Sequence, residues 1–248
     1  MTRLDGKVAL VTGASRGIGA ATARALARSG ARLVLTHRDS AADAEAVCRS
    51  LSGTGHRVLQ ASASDTAAIE AAAASVAEVE GRLDVLVNNA GLTRVIPHGD
   101  LEALDDSLFD AILRTNVRGV FATVRAFRRL LEAEGAGVVV NISSLAARSA
   151  SGSNLAYSAS KAAVDNLTAG LARALAPKVR VLSVAPGLVD TQFTSGWDPD
   201  VRRRYLERTP LGRLSTPEDV ALAVLAAVTH LPSTTGVVIP VDGGRPLG

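Results

Sequence analysis

Seven short apolar runs recur along this 248-residue chain, and each is followed by a longer Ala-rich stretch with helical spacing. The runs are VALV (8–11), RLVLT (32–36), HRVLQ (56–60), LDVLVN (83–88), GVVVNIS (137–143), VRVLSV (179–184) and GVVIPV (236–241). A strand with one face in water alternates apolar with polar residues, whereas most of these are apolar nearly throughout and must be covered on both faces. The intervening stretches supply the cover: GAATARALARSG (19–30), SAADAEAVCRSL (40–51), TAAIEAAAASVAEV (66–79), helices across 106–132, a helix over 157–175 and PEDVALAVLAAVTH (217–230). This order reads as α/β, with about seven parallel strands and helices on both faces. No linker or low-complexity stretch interrupts it, so residues 1–248 are expected to form one doubly wound domain. The last of these helices carries its own start signals. Ser215 or Thr216 can cap it, Pro217 suits its first position, and Glu218 and Asp219 favour its positive end.

Other classes of protein fit poorly. The apolar run VALAVLAAV (220–228) is too short to span a bilayer, so no membrane insertion is expected. The opening MTRLDGKVALVTG has no long apolar segment, and the single Cys48, read as a buried structural thiol, cannot form an internal disulfide. Both features lead us to expect a cytoplasmic location. The net charge is +3 and RRRY (202–205) is the densest basic run. With 3% aromatic residues, however, stacking platforms for nucleic acid are scarce, and no nucleic-acid partner is expected. His37, His56, His98 and His230 lie far apart without ligand spacing, so no metal is expected.

The first turn carries the strongest local signal. VALVTGASRGIG places Gly13, Gly17 and Gly19 between the first strand and the first helix, at the edge where doubly wound sheets bind ligands. Glycines let the backbone approach a pyrophosphate, and the helix start offers free N–H groups to it. Three glycines alone mark only a tight turn; the strand before and the helix after make this a nucleotide site.

A second signal lies in SLAARSASGSNLAYSASK (144–161). Only three of the 27 basic residues are lysine, and one of them, Lys161, stands four residues after Tyr157. That spacing puts the two side chains on one helix face. A free tyrosine has a pKa of about 10, and a fixed cation beside it favours the phenolate. Such a tyrosine can exchange a proton with a carbonyl or alcohol oxygen. The compact ammonium of a lysine can also reach a ribose hydroxyl, which a guanidinium does badly. The pair alone better fits an ordinary amphipathic helix with Tyr157 packed at its edge. Ser144, at the end of the GVVVNIS strand, adds a hydroxyl able to steady charge on a substrate oxygen.

These motifs, with NNAG (88–91) and PG (186–187), resemble the short-chain dehydrogenase/reductase family over essentially the whole chain, through VDGG (241–244). The nearest likeness is to 3-oxoacyl-[acyl-carrier-protein] reductases and related sugar and alcohol dehydrogenases. The resemblance implies a Rossmann-type fold and nicotinamide-dependent hydride transfer between cofactor and a small carbonyl or alcohol, with a 3-oxoacyl thioester as one candidate substrate. It also implies a catalytic set of Asn116, Ser144, Tyr157 and Lys161, with Asn116 on a water-linked proton path to the lysine. Cofactor contacts implied by resemblance are Gly13, Ser15, Arg16, Gly17, Ile18 and Gly19, then Asn89, Ala90 and Gly91, then Pro186, Gly187, Val189 and Thr191, besides Tyr157 and Lys161. The competing reading is a non-catalytic cofactor-binding sensor or scaffold of the same fold. A homotetramer is the expected assembly, pairing helices 157–175 and 112–131 across two-fold axes.

NADP(H) is expected over NAD(H). The second strand ends THRD, with His37 where an NAD site usually has an acidic residue. Arg38 can hold a 2′-phosphate and Arg16 can add a second charge; in the competing arrangement Asp39 turns inward to a ribose. Two positions depart from the family pattern: Ser62 stands where an adenine-contacting Asp is usual, with Asp65 three residues on, and Leu182 replaces an Asn. Residues 92–98, 145–155 and 191–209, the last with Phe193 and Trp197 and expected to move over a substrate, are the expected pocket walls. Arg94 and Arg148 are its candidate anion contacts.

Overall fold

A computed structural model of the chain describes residues 4–190 and 199–245. Its centre is a seven-stranded parallel sheet, in the order β3-β2-β1-β4-β5-β6-β7. The strands are β1 (Val8–Val11), β2 (Arg32–His37), β3 (Arg57–Gln60), β4 (Val85–Asn88), β5 (Gly137–Ile142), β6 (Val179–Pro186) and β7 (Val238–Val241). Each lies within or within two residues of the run expected for it. Around the sheet, among the described residues, lie α1 (Gly17–Arg28), α2 (Ala41–Arg49), α3 (Thr66–Glu80), α4 (Asp106–Leu113) and α5 (Gly119–Glu132). They are followed by α6 (Ala146–Ser149), α7 (Leu155–Leu175), α8 (Pro199–Glu207) and α9 (Pro217–Thr229).

The side-chain period of two divides the core between the two faces. From β1, Ala9 and Val11 join Leu26, Val47 and Val224 on the side of α1, α2 and α9. Val8 and Leu10 join Ile69, Phe127 and Leu175 on the side of α3, α5 and α7. Burial of both faces explains the unbroken apolar runs. Leu182, the departure from the usual Asn, is fully buried in the first of these layers and acts there as core. Cys48 is only half-buried against the same layer, so it is less enclosed than expected.

Three features differ from the sequence expectation. The helical stretch 106–132 is interrupted by a π-helical turn at Arg114–Arg118, which carries Asn116. The helix expected from 157 starts two residues earlier, at Leu155. Part of the segment expected to cover the pocket is itself a helix, α8, while 191–198, with Thr191, Phe193 and Trp197, lies outside the described residues.

β1 has β2 on one side and β4 on the other, so the chain leaves the sheet in opposite directions beside it. Sheets of this order leave a crevice beyond the carboxyl ends of the strands at that point. The loops after β1, β4, β5 and β6 all open there.

Candidate active site

The glycine loop follows β1 directly. A Cβ at Gly19 would meet the Gly13 carbonyl and lie 2.5 Å from Asn89 Nδ2, so only glycine fits. Gly13 has a φ of 64°, and a Cβ there would lie 3.0 Å from Ala90 Cα. Asn89 braces the loop: its Nδ2 donates to the carbonyls of Thr12 and Gly13 at 2.9 Å each. Thr12 Oγ1 in turn accepts from the backbone N–H groups of Asn89 and Ala90. α1 then starts at Gly17 with no side-chain cap and no acidic residue in its first turn. Its first N–H groups face the crevice uncompensated, the arrangement a pyrophosphate needs.

Below the site, a chain of buried side-chain bonds crosses the sheet. Asn88 Nδ2 donates to Asn141 Oδ1, Asn141 Nδ2 donates to Thr168 Oγ1, and Thr168 bonds Ser183, each at 2.9 Å. Every member is buried, and the bonds tie β4, β5, α7 and β6 together. A satisfied network of this kind fixes one arrangement of the strand ends.

Ser144 follows β5, and α7 rises beside it. Asn154 sets the start of α7: its Oδ1 caps the Tyr157 N–H at 2.7 Å, and its Nδ2 donates to the Arg94 carbonyl at 2.7 Å. Two turns of α7 then present Tyr157 and Lys161 on one face. Lys161 Nζ lies 5.6 Å from the Tyr157 ring centroid and donates to the Ile142 carbonyl at 2.7 Å. Burial pulls the Lys161 ammonium down to about 8, against a smaller upward pull from Asp165. Burial pushes the Tyr157 phenol up, with the Ser144 hydroxyl pulling it back. The lysine therefore does not by itself bring the phenol below its ordinary range, contrary to the simple expectation from spacing.

Asn116 sits on the π turn and is 1% exposed. Its Oδ1 accepts from the Leu92 N–H at 2.7 Å; its Nδ2 donates to the Leu92 carbonyl and to Ser160 Oγ at 3.0 Å each. The side chain thus clamps the loop after β4 to α7, a positioning role. A Cβ on Gly91 would lie 3.5 Å from Asn116 Oδ1 and 4.0 Å from Lys161 Nζ, so Gly91 separates the two.

One cavity of about 420 Å³ joins these parts. Ser144, Tyr157 and Lys161 line it together with Ile18, Asn89, Gly91, Pro186, Gly187 and Val189. Another part of its wall comes from Thr93, Val95, Ser151, Gly152, Ser153, Tyr205 and Arg245. The two loops forming that wall are bonded to each other: Ile96 N donates to the Ser153 carbonyl at 2.7 Å, and His98 bonds the Gly152 carbonyl at 3.0 Å. Gly13, Ser15, Arg16, Gly17, Gly19, Arg38 and Ala90 belong to the neighbouring crevice rather than to this cavity. Neither anion candidate points in. Arg94 bonds the Ala103 carbonyl at 2.9 Å and pairs with Asp105, while Arg148 is exposed outside the lining.

At the end of β2, His37 is buried, and its Nδ1 finds no hydrogen-bond partner among the described residues. Arg38 and Asp39 bond each other at the surface, with side chains 64% and 68% exposed. Ser62 bonds Ser64, and Asp65 is occupied as the cap of α3. Among the described residues no cluster of His, Cys, Asp and Glu suits a metal, and no helix is long and apolar enough to cross a membrane.

Comparison with known proteins points the same way. Residues 13–245 match a family described as enoyl-(acyl carrier protein) reductase. The cis-4-hydroxycyclohexanecarboxylate dehydrogenase of Sinomonas cyclohexanicum is 39% identical, with 96% of each chain covered. The 3-oxoacyl-[acyl-carrier-protein] reductase of Aquifex aeolicus is 36% identical, with 98% of each covered. A gluconate 5-dehydrogenase of Burkholderia cenocepacia, solved with NADP and tartrate, superposes with a TM-score of 0.90 at 30% identity, over 100% of this chain and 98% of that one. With a Ser–Tyr–Lys cavity beside a glycine-rich crevice, this chain belongs to the short-chain dehydrogenase/reductase family of oxidoreductases.

Proposed function

We propose that the protein is an NADP(H)-dependent oxidoreductase that interconverts a ketone and a secondary alcohol, with 3-oxoacyl thioesters among the candidate substrates. The observation that carries this reading is the shared cavity: Ser144, Tyr157 and Lys161 line the same space as Ile18 and the Pro186–Val189 segment. Bound nicotinamide supplies or accepts the hydride. Ser144 Oγ holds the substrate oxygen, and the Tyr157 phenol gives that oxygen a proton in reduction or takes one in oxidation. Lys161, held by the Ile142 carbonyl, presents its charge beside the phenol and toward a ribose hydroxyl. Asn116 positions the loop that carries Gly91. Turnover of a ketone panel with NADPH tests the reading. Tight cofactor binding with no turnover of any carbonyl or alcohol would instead favour a non-catalytic sensor.

The preference for NADP(H) rests on the end of β2 and on the glycine loop. No carboxylate stands at the His37 position, and Arg16 is exposed at the start of α1. The Arg38–Asp39 pair is solvent-exposed, and such pairs are worth about 0–1 kcal/mol, so a phosphate can readily take over Arg38. The gluconate 5-dehydrogenase solved with NADP is a structural relative in keeping with this. We expect kcat/KM for NADPH to exceed that for NADH, and Arg38→Ala to lower the ratio by about tenfold. A wild-type ratio below one, or a ratio unmoved by the substitution, would refute the assignment.

A further inference from the structure

Among the described residues two cationic side chains line the catalytic cavity, Lys161 and Arg245, and no carboxylate does. Lys161 is already committed to the Ile142 carbonyl. Arg245 is placed differently. It follows β7, and its guanidinium stacks over the Tyr205 ring, 3.9 Å from the centroid. Among the described residues it makes no ion pair and no side-chain hydrogen bond. The carboxylate closest to it in sequence, Asp242, accepts the Gly244 N–H at 2.9 Å instead. A guanidinium held by an aromatic face keeps its in-plane N–H fork available for a ligand.

We propose that Arg245 is a specificity-determining residue that binds a substrate carboxylate, so that the enzyme acts on short oxo acids and the corresponding hydroxy acids. The proposal rests on the oxidoreductase reading above and assigns its substrate class. The cavity favours an anion because the two charges among its described lining residues are positive. One fork satisfies a carboxylate with two parallel bonds, whereas a phosphate dianion has more oxygens to satisfy than this wall offers. The substrate must also be short. About 420 Å³ is shared between the acceptor and the cofactor segment at Pro186–Val189, and Ser144, Tyr157 and Arg245 all line that same space.

The test compares 4-oxopentanoate and 4-oxocyclohexanecarboxylate with their methyl esters, and with a neutral 3-oxoacyl N-acetylcysteamine thioester, using NADPH. We expect each acid to exceed its ester in kcat/KM by on the order of 10- to 100-fold, the range for a charge-assisted pair. That ratio should fall to near one in Arg245→Met and survive in part in Arg245→Lys. It is taken within each variant, so the fraction of folded enzyme cancels. In the wild type it should also shrink as salt rises, which keeps the proposal testable if Arg245→Met does not fold. Esters or thioester turned over as well as the acids would overturn the role of Arg245 and leave the oxidoreductase reading standing. An acid preference unchanged in Arg245→Met, or insensitive to salt, would also overturn it. No turnover of any of these compounds or of simple neutral ketones would remove the underlying reading and this proposal with it.

Discussion

Tyr157 has to part with a proton near neutral pH, yet burial raises its phenol above the ordinary value and only Ser144 pulls it down. In the reductive direction this suits a donor, because the phenol stays protonated until the substrate oxygen demands the proton. Tyr157→Phe should cut kcat by about 100- to 10,000-fold, with cofactor affinity in a fluorescence titration changed only a few-fold. A variant keeping a tenth of the wild-type rate would rule out this donor. Lys161 titrates in an accessible range. Its folded pKa of about 8 lies below the ordinary 10.5, so the charge is present below about pH 8 and is lost as pH rises through it. Reduction should therefore decline above about pH 8 in a kcat/KM profile. Lys161→Arg, whose guanidinium does not titrate there, should lose most activity and lack that limb. The same limb in the arginine variant would assign the titration elsewhere. Lys161 and Tyr157 were legible because they contrast with an arginine-rich, aromatic-poor sequence. Arg245 had no such contrast, one arginine among 24, and its value depends on a stack with Tyr205 from distant α8.

Helix ends decide how accurately the site is placed, and they were legible to different degrees. α9 announces itself: Pro217 stands at its first position, and Thr216 and Asp219 form a capping box in which each bonds the other's backbone N–H. Arg213 adds a charge, holding the Asp219 carboxyl down at about 2. The start of α7 was harder to read, because SASGSN offers several capping hydroxyls and the choice of Asn154 depends on contact with the Arg94 carbonyl. The π turn around Asn116 carries no residue signature; it becomes apparent only as the bonds to Leu92 and Ser160 are made. α8 is short and five of its nine residues are charged, so it does not stand out as a helix in sequence. Asn154→Ala removes the cap from the turn that bears Tyr157 and a buried donor from the substrate wall. We expect a loss of about 1–3 kcal/mol, seen as a fall of several degrees in melting temperature, and a fall in kcat that exceeds any change in cofactor affinity. Unchanged stability and kcat would show that α7 holds its register without the cap.

At the level of the whole chain, the number and positions of the strands follow from sequence pattern because each buried strand needs apolar residues on both faces. What lies on the outer surface is not fixed by that requirement. Phe109 and Phe121, on α4 and α5, are 37% and 42% exposed, and Leu155 at the start of α7 is 39% exposed. Leu113, Val117 and Phe121 line an open groove with Ala163 and Leu167 of α7. This is the face formed by the two helices singled out from sequence as pairing surfaces. At the other side of the sheet, β7 is an edge strand, and Leu222 of α9 and Val237 beside it are 59% and 41% exposed. An edge strand and an open apolar groove are both costly to leave uncovered. Two separate self-complementary faces, each on its own two-fold axis, close a tetramer of D2 symmetry, whereas one such face would stop at a dimer. We therefore propose a homotetramer. Light scattering at micromolar concentration should give four times the chain mass of 25.4 kDa. Phe121→Glu, which puts a charge into the groove, should reduce this to a dimer held by the β7 side. A wild-type monomer would overturn the assembly, and an unaltered tetramer in Phe121→Glu would exclude the groove as one of its interfaces.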